Sequence, residues 1–275
     1  MLYSIEGSLI IGEGSRINIY EYSPLNEIKI LSYIENKNIS VCSKAKHKFI
    51  ITGDLLQSVT WIHFRQDQSH RDRPYMYLKG VDYSDYSSTA VEFWNDESEE
   101  AAKSGCLLAD RDYNLHIFVM ESDSQKNYLA GMNQNIAASA YSSSELTEHA
   151  DIHLGKKITE IKYYNDCEEK KRGVNFYSAD DGSIGYIRPV SKDAYNSLFM
   201  LCEFIYNHIP FKAGLNPKMF FSCKYLNKKD KSNILDMSVL RIYLDLPLTT
   251  QKIIAKNITL KRENIIQLIN QINDF

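Results

Sequence analysis

The sequence predicts an α+β protein, a β-rich sandwich or bent antiparallel sheet with a few helices. Short apolar runs separated by Gly, Ser and Asn fill the first third of the chain, and such alternation is typical of half-buried strands. Two later segments repeat apolar residues at helical spacing. The 275 residues are 44% apolar and 24% charged, which is the composition of a globular protein.

Eight segments between residues 2 and 80 have strand character. They are LYSIEG, SLIIG, RINIYEY, EIKILSYI, ISVCS, KFIITG, SVTWIHF and YMYLKG. Residues 81–105 follow and include an acidic run of Asp96, Glu97, Glu99 and Glu100. Because runs of charge usually face water, we expect a solvated loop or a short helix there.

The middle of the chain is predicted to hold a hairpin and a polar connector. CLLAD and LHIFVME flank the turn RDYN, a pattern that favours two antiparallel strands. Residues 121–151 are polar and rich in serine, with helical character near residues 135–150. Strand character returns in ITEIKYY, GVNFYSA and SIGYIRPV, the last two joined by the turn sequence DDG.

Two segments near the C-terminus are predicted to be helices. SKDAYNSLFMLCEFIYNHI begins with Ser191 as an N-cap and is followed by Pro210. Its apolar stripe comprises Leu198, Leu201, Cys202 and Ile205. LKRENIIQLINQIND repeats apolar residues at Ile265, Leu268, Ile269 and Ile272 and should close the fold as a helix. We expect one domain over residues 1–275. The alternative is a β-rich region over residues 1–122 joined to an α+β region over residues 155–275.

Charge and cysteine usage exclude several classes of function. The net charge of −3 gives no basic face for nucleic acid. Five scattered cysteines indicate neither a disulfide framework nor a zinc ribbon. We expect no signal peptide, because the first residues lack a basic segment and an apolar segment of sufficient length, and no run of about 18 apolar residues predicts a membrane span. We expect a cytoplasmic protein, or one secreted into a target cell by a signal-peptide-independent route.

The stretch KSGCLLADRDYNLHIF suggests a cysteine nucleophile with a histidine base. A thiol attacks only as thiolate, and a hairpin would bring His116 close to Cys106 on a neighbouring strand. Gly105 would let a substrate carbonyl approach, and backbone N–H groups from Gly105 to Leu107 would hold an oxyanion. The alternative is an ordinary hairpin in which Cys106 is a small buried side chain.

Ser104, Gly105, Cys106 and His116 resemble the motif of the cysteine–histidine glutamine deamidases. This superfamily includes the catalytic domain of cytotoxic necrotizing factors, the Burkholderia lethal factor and the bacterial chemoreceptor deamidase. The resemblance implies a β-sandwich hydrolase in which Cys106 attacks a side-chain carboxamide and His116 protonates the departing ammonia. Some members orient the histidine with a threonine six residues before the cysteine, where this chain has Glu100. The implied function is a protein glutamine deamidase, acting as a bacterial effector or toxin on a host or rival protein.

Two other features suggest different functions. His149 and His153 in EHADIH have the i, i+4 spacing that binds zinc from one helix face, although no third ligand is evident. No metal or other cofactor is therefore predicted. The 19 tyrosines favour a non-catalytic binding protein, such as an immunity or adaptor protein, because tyrosine is enriched at interfaces. A protein, as substrate or as partner, is expected in either case.

Overall fold

The structure is a computed structural model that describes residues 2–5, 8–22, 27–36, 38–65, 75–96, 103–120, 144–164, 173–208 and 233–273. These residues belong to two compact units. The first comprises Met1–Ala150 and Leu154–Arg188, and the second comprises Asp151–His153 and Pro189–Phe275. The chain therefore divides mainly at residue 189, whereas the alternative suggested by the sequence placed a boundary between residues 122 and 155.

Apart from Asp151–His153, the described strands belong to the first unit. Those of the first half are β1 (Leu2–Ile5), β2 (Ser8–Glu13), β3 (Arg16–Tyr22), β4 (Ile28–Glu35), β5 (Ser40–Lys46), β6 (Phe49–Asp54), β7 (Val59–Arg65) and β8 (Tyr75–Val81). The later ones are β9 (Ser88–Asp96), β10 (Lys103–Asp110), β11 (Asn114–Val119), β12 (Ser144–Glu145), β13 (Thr147–His153), β14 (Ile158–Tyr164), β15 (Val174–Ala179) and β16 (Ile184–Ile187). The eight segments predicted before residue 81 coincide with β1 to β8, which confirms the β-rich class.

These strands form four sheets in chain order. Sheet 1 contains β1 to β4, and sheet 2 contains β5 to β8 with the short β12 added in parallel to β8. Sheet 3 has the order β13-β11-β10-β9, and sheet 4 contains β14 to β16. Strands that follow one another directly in the chain within a sheet are antiparallel.

The four sheets stack one after another. β4 contacts β8, β5 contacts β9, and β9 contacts β14. β1 also contacts β5. The first strands of the four sheets, which are β1, β5, β9 and β14, are therefore neighbours in this order. A series of up-and-down antiparallel sheets whose first strands lie side by side is the arrangement of blades in a β-propeller.

Apolar side chains fill the spaces between the sheets. Ile10, Ile17 and Ile19 of sheet 1 cluster with residues of sheet 2, namely Ile50, Ile62, Phe64 and Met76. On the other side of sheet 2, the Trp61 and Phe93 rings meet edge to face with centroids 5.4 Å apart. Burying each of these large side chains contributes about 1.5–3 kcal/mol. Sheet 2 therefore uses both of its faces to pack against other sheets.

Two local predictions were wrong. Residues 88–96, expected in a solvated loop or short helix, form strand β9, whose Val91, Phe93 and Trp94 are buried. The acidic residues 97–100 lie outside the described residues. The helical character expected near residues 135–150 is contradicted at its end by strand β13, while residues 135–143 are also outside the described ranges.

The second unit is helical. Its described helices are α1 (Lys192–His208), α2 (Met237–Asp245), α3 (Leu248–Asn257) and α4 (Arg262–Asn273). α1 and α4 confirm the two predicted helices, and every residue of the predicted α1 stripe is buried. None of the four described helices is long and apolar enough to cross a membrane.

The sequence did not predict α2 and α3. MSVLRIYLD contains β-branched and aromatic residues that suit a strand equally well, although Asp236 caps α2 by accepting a hydrogen bond from the Ser238 N–H at 2.7 Å. The buried Gln251 of α3 donates from Nε2 to the carbonyls of Tyr243, Leu244 and Leu246. This amide satisfies carbonyls at the end of α2 and ties the two helices together.

Candidate functional site

The predicted hairpin of Cys106 and His116 is present, formed by β10 and β11. Cys106 lies opposite Phe118, and His116 lies opposite Leu108. Directly opposed residues of antiparallel strands share a face, and Cys106 and Leu108 share a face because they are two positions apart on β10. The side chains of Cys106 and His116 therefore lie on the same face, in neighbouring pairs. The sequence could not establish this register, and the register by itself shows only that the two groups are neighbours.

The environment of Cys106 is the reverse of what a nucleophile requires. Its side chain is 0% exposed, and it shares its face with Phe93 and Phe118 on the flanking strands. Burial raises the pKa of the Cys106 thiol far above its usual range, and the negative charge of Asp82 adds to this shift. Reactive cysteines instead lie in partly exposed, electropositive places that lower the thiol pKa.

We expect the native protein to leave Cys106 unmodified when it is treated with limiting iodoacetamide between about pH 5 and 9, because the thiol is protonated and shielded. Unfolding in urea should make the same cysteine react. Mass spectrometry of the digested protein measures both results. Preferential labelling of Cys106 at low pH, lost in His116→Ala, would contradict this burial argument.

The residues expected to support an oxyanion lie in the interior of sheet 3. β10 pairs with β9 on one side and β11 on the other, so Gly105 is opposite both Trp94 and Val119. Leu107 is likewise paired on both sides and is fully buried. Backbone N–H groups of a central strand are directed into the ladder, which leaves them unavailable to a substrate. Ser104 lies on the same strand, and Glu100 is outside the described residues.

Gly105 has a structural reason to lack a side chain. A Cβ atom built at this position would lie 2.1 Å from the carbonyl oxygen of Phe118 and 3.2 Å from its carbonyl carbon. Real Cβ atoms do not approach backbone so closely. The glycine therefore allows β10 and β11 to come together, instead of opening space for a substrate.

His116 belongs to a buried cluster of ionisable groups. Its Nδ1 lies 2.7 Å from Glu148 Oε1, and its Nε2 lies 3.2 Å from Asp110 Oδ2. Asp110 in turn accepts hydrogen bonds from the Asn114 backbone N–H at 2.8 Å and from Asn114 Nδ2 at 2.9 Å. Both ring nitrogens are thus engaged by carboxylates, so neither faces the Cys106 thiol. We call Asp110, His116 and Glu148 the buried triad.

Tyr86 completes the surroundings of the triad. Its ring stacks on the His116 imidazole with centroids 4.0 Å apart and planes 19° from parallel, and its hydroxyl donates to Glu148 Oε1 at 3.3 Å. Sequence reasoning missed all three partners of His116, namely Asp110 six residues before it, Tyr86 30 residues before it and Glu148 32 residues after it. The DRDYN turn, with an aspartate four residues before an asparagine, was the one local indication of the triad.

Opposing effects act on the pKa of the triad members. Burial disfavours the imidazolium, but hydrogen bonds and negative charge from Asp110 and Glu148 outweigh it and raise the pKa of His116 above its usual value. Burial alone would raise the pKa of Asp110, whereas hydrogen bonds from His116 and Asn114 bring it below its usual value. Both shifts act in favour of an imidazolium beside carboxylates over a neutral imidazole beside a protonated acid.

These shifts predict a pH optimum of stability. Because the pKa of His116 is raised on folding, its contribution is complete below the unfolded pKa of about 6.5 and is lost as the pH rises through the folded value. Because the pKa of Asp110 is lowered, its contribution is complete above about pH 3.9 and is lost as the pH falls through the folded value. Urea unfolding from pH 3 to 10 should show a maximum between these limits. His116→Gln should flatten the alkaline side, and an unchanged profile would contradict the assignment.

The two histidines that the sequence suggests as zinc ligands do not lie on a helix. His149 and His153 lie on strand β13, where a rise of about 3.3 Å per residue separates i and i+4 by roughly 13 Å. Two histidines on adjacent turns of one helix would be much closer. Within the ranges that the structure describes, no group of three or more His, Cys, Asp or Glu side chains could hold a metal ion.

Apolar side chains line one face of sheet 1. The register places Leu9 opposite Tyr20 and Ile11 opposite Asn18, while Tyr20 is opposite Ile30 and Tyr22 is opposite Ile28. These residues share the face opposite the one that packs on sheet 2. We call this surface the outer face and define its apolar part as Leu9, Ile11, Tyr20, Tyr22, Ile28 and Ile30.

The outer face is exposed in its central and edge strands. Tyr22 is 63% exposed, Ile28 is 62% and Ile30 is 59%. Such a cluster of exposed isoleucine and tyrosine side chains on adjacent strands is uncommon on a protein that functions alone, and clusters of this kind mark interaction sites. Isolated exposed apolar residues, by contrast, need no explanation.

A charged rim borders one end of the outer face. Arg16 donates to Glu35 Oε1 from Nε at 3.0 Å and from Nη2 at 2.7 Å, and its guanidinium lies 5.2 Å from the centroid of the Tyr33 ring. Tyr20 also donates a hydrogen bond to Glu13 at 3.0 Å. The rim contains two acids and one base, because Glu13 and Glu35 accompany Arg16, so its net charge is negative.

The first unit is built of stacked antiparallel sheets like the blades of a β-propeller. Its Cys106 thiol is buried, and sheet 1 has an exposed apolar face. These features indicate a β-propeller-like protein with a surface suited to binding. Comparison with known proteins agrees with this class. Residues 1–245 match the family model described as the CPSF A subunit region, and the chain belongs to this family.

Several longer proteins are similar to almost the whole chain. A Caenorhabditis elegans protein, probable cleavage and polyadenylation specificity factor subunit 1, is 24% identical over 98% of the chain and 18% of its own length. The Arabidopsis thaliana cleavage and polyadenylation specificity factor subunit 1 is 23% identical over 96% and 17%. DNA damage-binding protein 1 of Drosophila melanogaster is 22% identical over 89% and 20%. The chain thus spans about a fifth of the length of these relatives.

These findings overturn the deamidase assignment. The family covers residues 1–245, whereas the resemblance to cysteine–histidine deamidases was confined to the stretch around Cys106. The prediction of a hydrolase that acts as an effector or toxin was therefore wrong, and the relatives give no support to a secretion route into target cells. The binding-protein alternative agrees better with the family and with the burial of Cys106.

Proposed function

We propose that this chain is a non-catalytic scaffold that binds other proteins. Membership of the CPSF A subunit region family supports the proposal, as does the presence of the matched region within relatives that are about five times longer. Two relatives are named as subunits of a cleavage and polyadenylation specificity factor. A subunit works in contact with other proteins, and we infer the same for this chain.

The outer face of sheet 1 is the observation that carries the proposal. It presents Tyr22, Ile28 and Ile30 to solvent, each more than half exposed. Aromatic and aliphatic side chains dominate the central parts of protein interfaces, and a few of them supply most of the binding energy. Nucleic acid is not included as a direct ligand, since the chain has a net charge of −3 and the rim of this face is acidic.

An intracellular location is part of the same proposal. The export route that the sequence suggested depended on the deamidase resemblance, and it loses its basis with that resemblance. The tyrosine-rich surface expected for a binding protein is represented on the outer face by Tyr20, Tyr22 and Tyr33. We therefore retain the adaptor interpretation and discard the immunity-protein interpretation, which was tied to a toxin.

Site-specific photo-crosslinking tests the proposal. We expect benzoylphenylalanine at position 22, in full-length chain added to an extract of its own cells, to give discrete protein adducts after irradiation. The matched control carries the same group at position 164, because Tyr164 is 59% exposed on a different sheet. Adducts from position 22 that are absent from position 164 support a binding scaffold. No adduct at position 22, or the same adducts from both positions, would contradict it.

A further inference from the structure

We propose that residues 144–150 form a pH-sensitive clasp, which the imidazolium of His116 holds closed across the edges of sheets 2 and 3. When His116 loses its proton, the clasp detaches while the rest of the first unit stays folded. Its detachment exposes the backbone edges of β8 and β11. This device is separate from the proposed binding surface on sheet 1 and does not depend on it.

The clasp joins two neighbouring sheets. Its first strand, β12, pairs in parallel with β8, and the Leu146 N–H donates to the Val81 carbonyl at 3.2 Å. Its remaining residues belong to the beginning of β13, the strand next to β11 in sheet 3. Both strands lie at the edge of their sheets. An edge strand is paired on one side only, so it opens more easily than the strands inside a sheet.

Three side chains at alternate positions anchor the clasp. Leu146 and Ala150 are buried, but one leucine and one alanine bury little apolar surface between them. Glu148 is the charged anchor, because its Oε1 lies 2.7 Å from His116 Nδ1 and accepts a hydrogen bond from the Tyr86 hydroxyl at 3.3 Å. The attachment of the clasp therefore depends strongly on the bond between Glu148 and His116.

Deprotonation of His116 affects its two carboxylate partners unequally. The imidazolium donates from both ring nitrogens, whereas a neutral imidazole has one N–H and can serve one carboxylate. Asp110 is fully buried in the same hairpin, where Asn114 supplies two further hydrogen bonds, so it stays in place. The Glu148 side chain is 14% exposed and belongs to an edge strand, so it can regain water. Glu148 is therefore the partner that leaves, and the clasp leaves with it.

His116 is the group whose titration controls the clasp. The titratable groups that face it are Asp110 from its own hairpin, Glu148 from β13 and Tyr86 from the segment before β9. Cys106, on the same face, stays protonated because burial raises the pKa of its thiol. The two carboxylates raise the pKa of His116 above its usual value. The clasp is therefore closed below the unfolded pKa of about 6.5 and opens as the pH rises through the folded value.

Hydrogen–deuterium exchange of the full-length chain, measured by mass spectrometry from about pH 6 to 9 and corrected for the intrinsic exchange rate, tests the proposal. We expect the protection of residues 144–150 to fall about tenfold for each pH unit until the folded pKa of His116 is passed. At the alkaline end it should be at least about tenfold lower than the protection of β6 and β7, which lie inside sheet 2. Equal protection of the clasp and these inner strands at every pH would overturn the proposal.

Glu148→Gln separates the clasp from a merely structural contact. A glutamine amide can accept a hydrogen bond from the imidazolium or donate one to the neutral ring. The protection of residues 144–150 should therefore become independent of pH in this variant and exceed that of the unmodified chain at about pH 9. The matched control is His149→Gln, which removes the exposed histidine of the clasp itself and should keep the original pH dependence. An unchanged pH dependence in Glu148→Gln, or its loss in His149→Gln, would contradict the assignment to His116.

Discussion

Replacing His116 with leucine should lower the free energy of unfolding at about pH 6 by about 3–5 kcal/mol, the usual cost of removing one member of a buried ion pair. Asp110 and Glu148 would remain beside each other without the cation that now lies between them. Asp110 is fully buried, so its carboxylate could not regain water without opening the hairpin. Urea denaturation followed by circular dichroism measures the loss.

The triple variant His116→Leu/Asp110→Asn/Glu148→Gln separates charge from packing. It removes both carboxylates together with the imidazolium, so most of the lost stability should return, as it does when a buried ion pair is replaced as a whole. His208→Leu is the matched control, because His208 is exposed on α1 and bonds locally, to the Phe204 carbonyl. Its effect should stay within about 0.5 kcal/mol. A loss below about 1 kcal/mol for His116→Leu would mean that the triad is not ionised.

The partners of His116 in the triad could not be predicted from the sequence. The hairpin of Cys106 and His116 follows from local alternation around a polar turn, and its prediction was correct. What the sequence could not reveal is which groups surround the histidine, because Glu148 arrives from β13 after an intervening segment of the chain. Glu100 was expected to orient the histidine because it stands six residues before Cys106, where some deamidases have a threonine, yet Asp110 and Glu148 engage the two ring nitrogens.

Strands were predictable where turn residues mark their ends, whether one face is buried or both faces are, as in sheet 2. β1 to β8 alternate apolar and polar residues or lie between clear turns, and all eight were found. β9 was missed because its apolar run, Val91 to Trp94 with Glu92 inside, is followed by a strongly acidic segment. The local charge masked a strand whose burial is determined by contacts with β5, β6 and β14.

The exposed outer face could not be located from sequence for a related reason. β2 has apolar residues on both sides, since Leu9 and Ile11 point one way and Ile10 points the other. Such a strand is predicted to be buried on both faces. Only the structure distinguishes the face that packs on sheet 2 from the face that remains exposed, and this difference is the basis of the binding proposal.

Gly105→Ala should be nearly as damaging as the loss of the imidazolium. The added methyl group would lie 2.1 Å from the Phe118 carbonyl oxygen, and 3.4 Å from the Cα of Val119. Overpacking of this kind usually costs about 1–3 kcal/mol, and here the obstacle is backbone, which cannot rotate away as a side chain can. We therefore expect a loss of about 3 kcal/mol or more in the free energy of unfolding, measured by urea denaturation.

Gly182→Ala is a control for Gly105→Ala, because Gly182 has room for a side chain but a backbone conformation that favours glycine. A Cβ atom there would meet nothing within 4 Å, but the residue has a φ of +81°. Gly182→Ala should therefore cost only about 1–2 kcal/mol, the usual penalty for a left-handed conformation. Gly182→Asn should recover part of this loss because asparagine tolerates positive φ. Gly105→Asn should recover nothing, since its Cβ meets the same carbonyl oxygen. If Gly105→Ala cost no more than Gly182→Ala, the close approach of β10 and β11 would not be what requires glycine at this position.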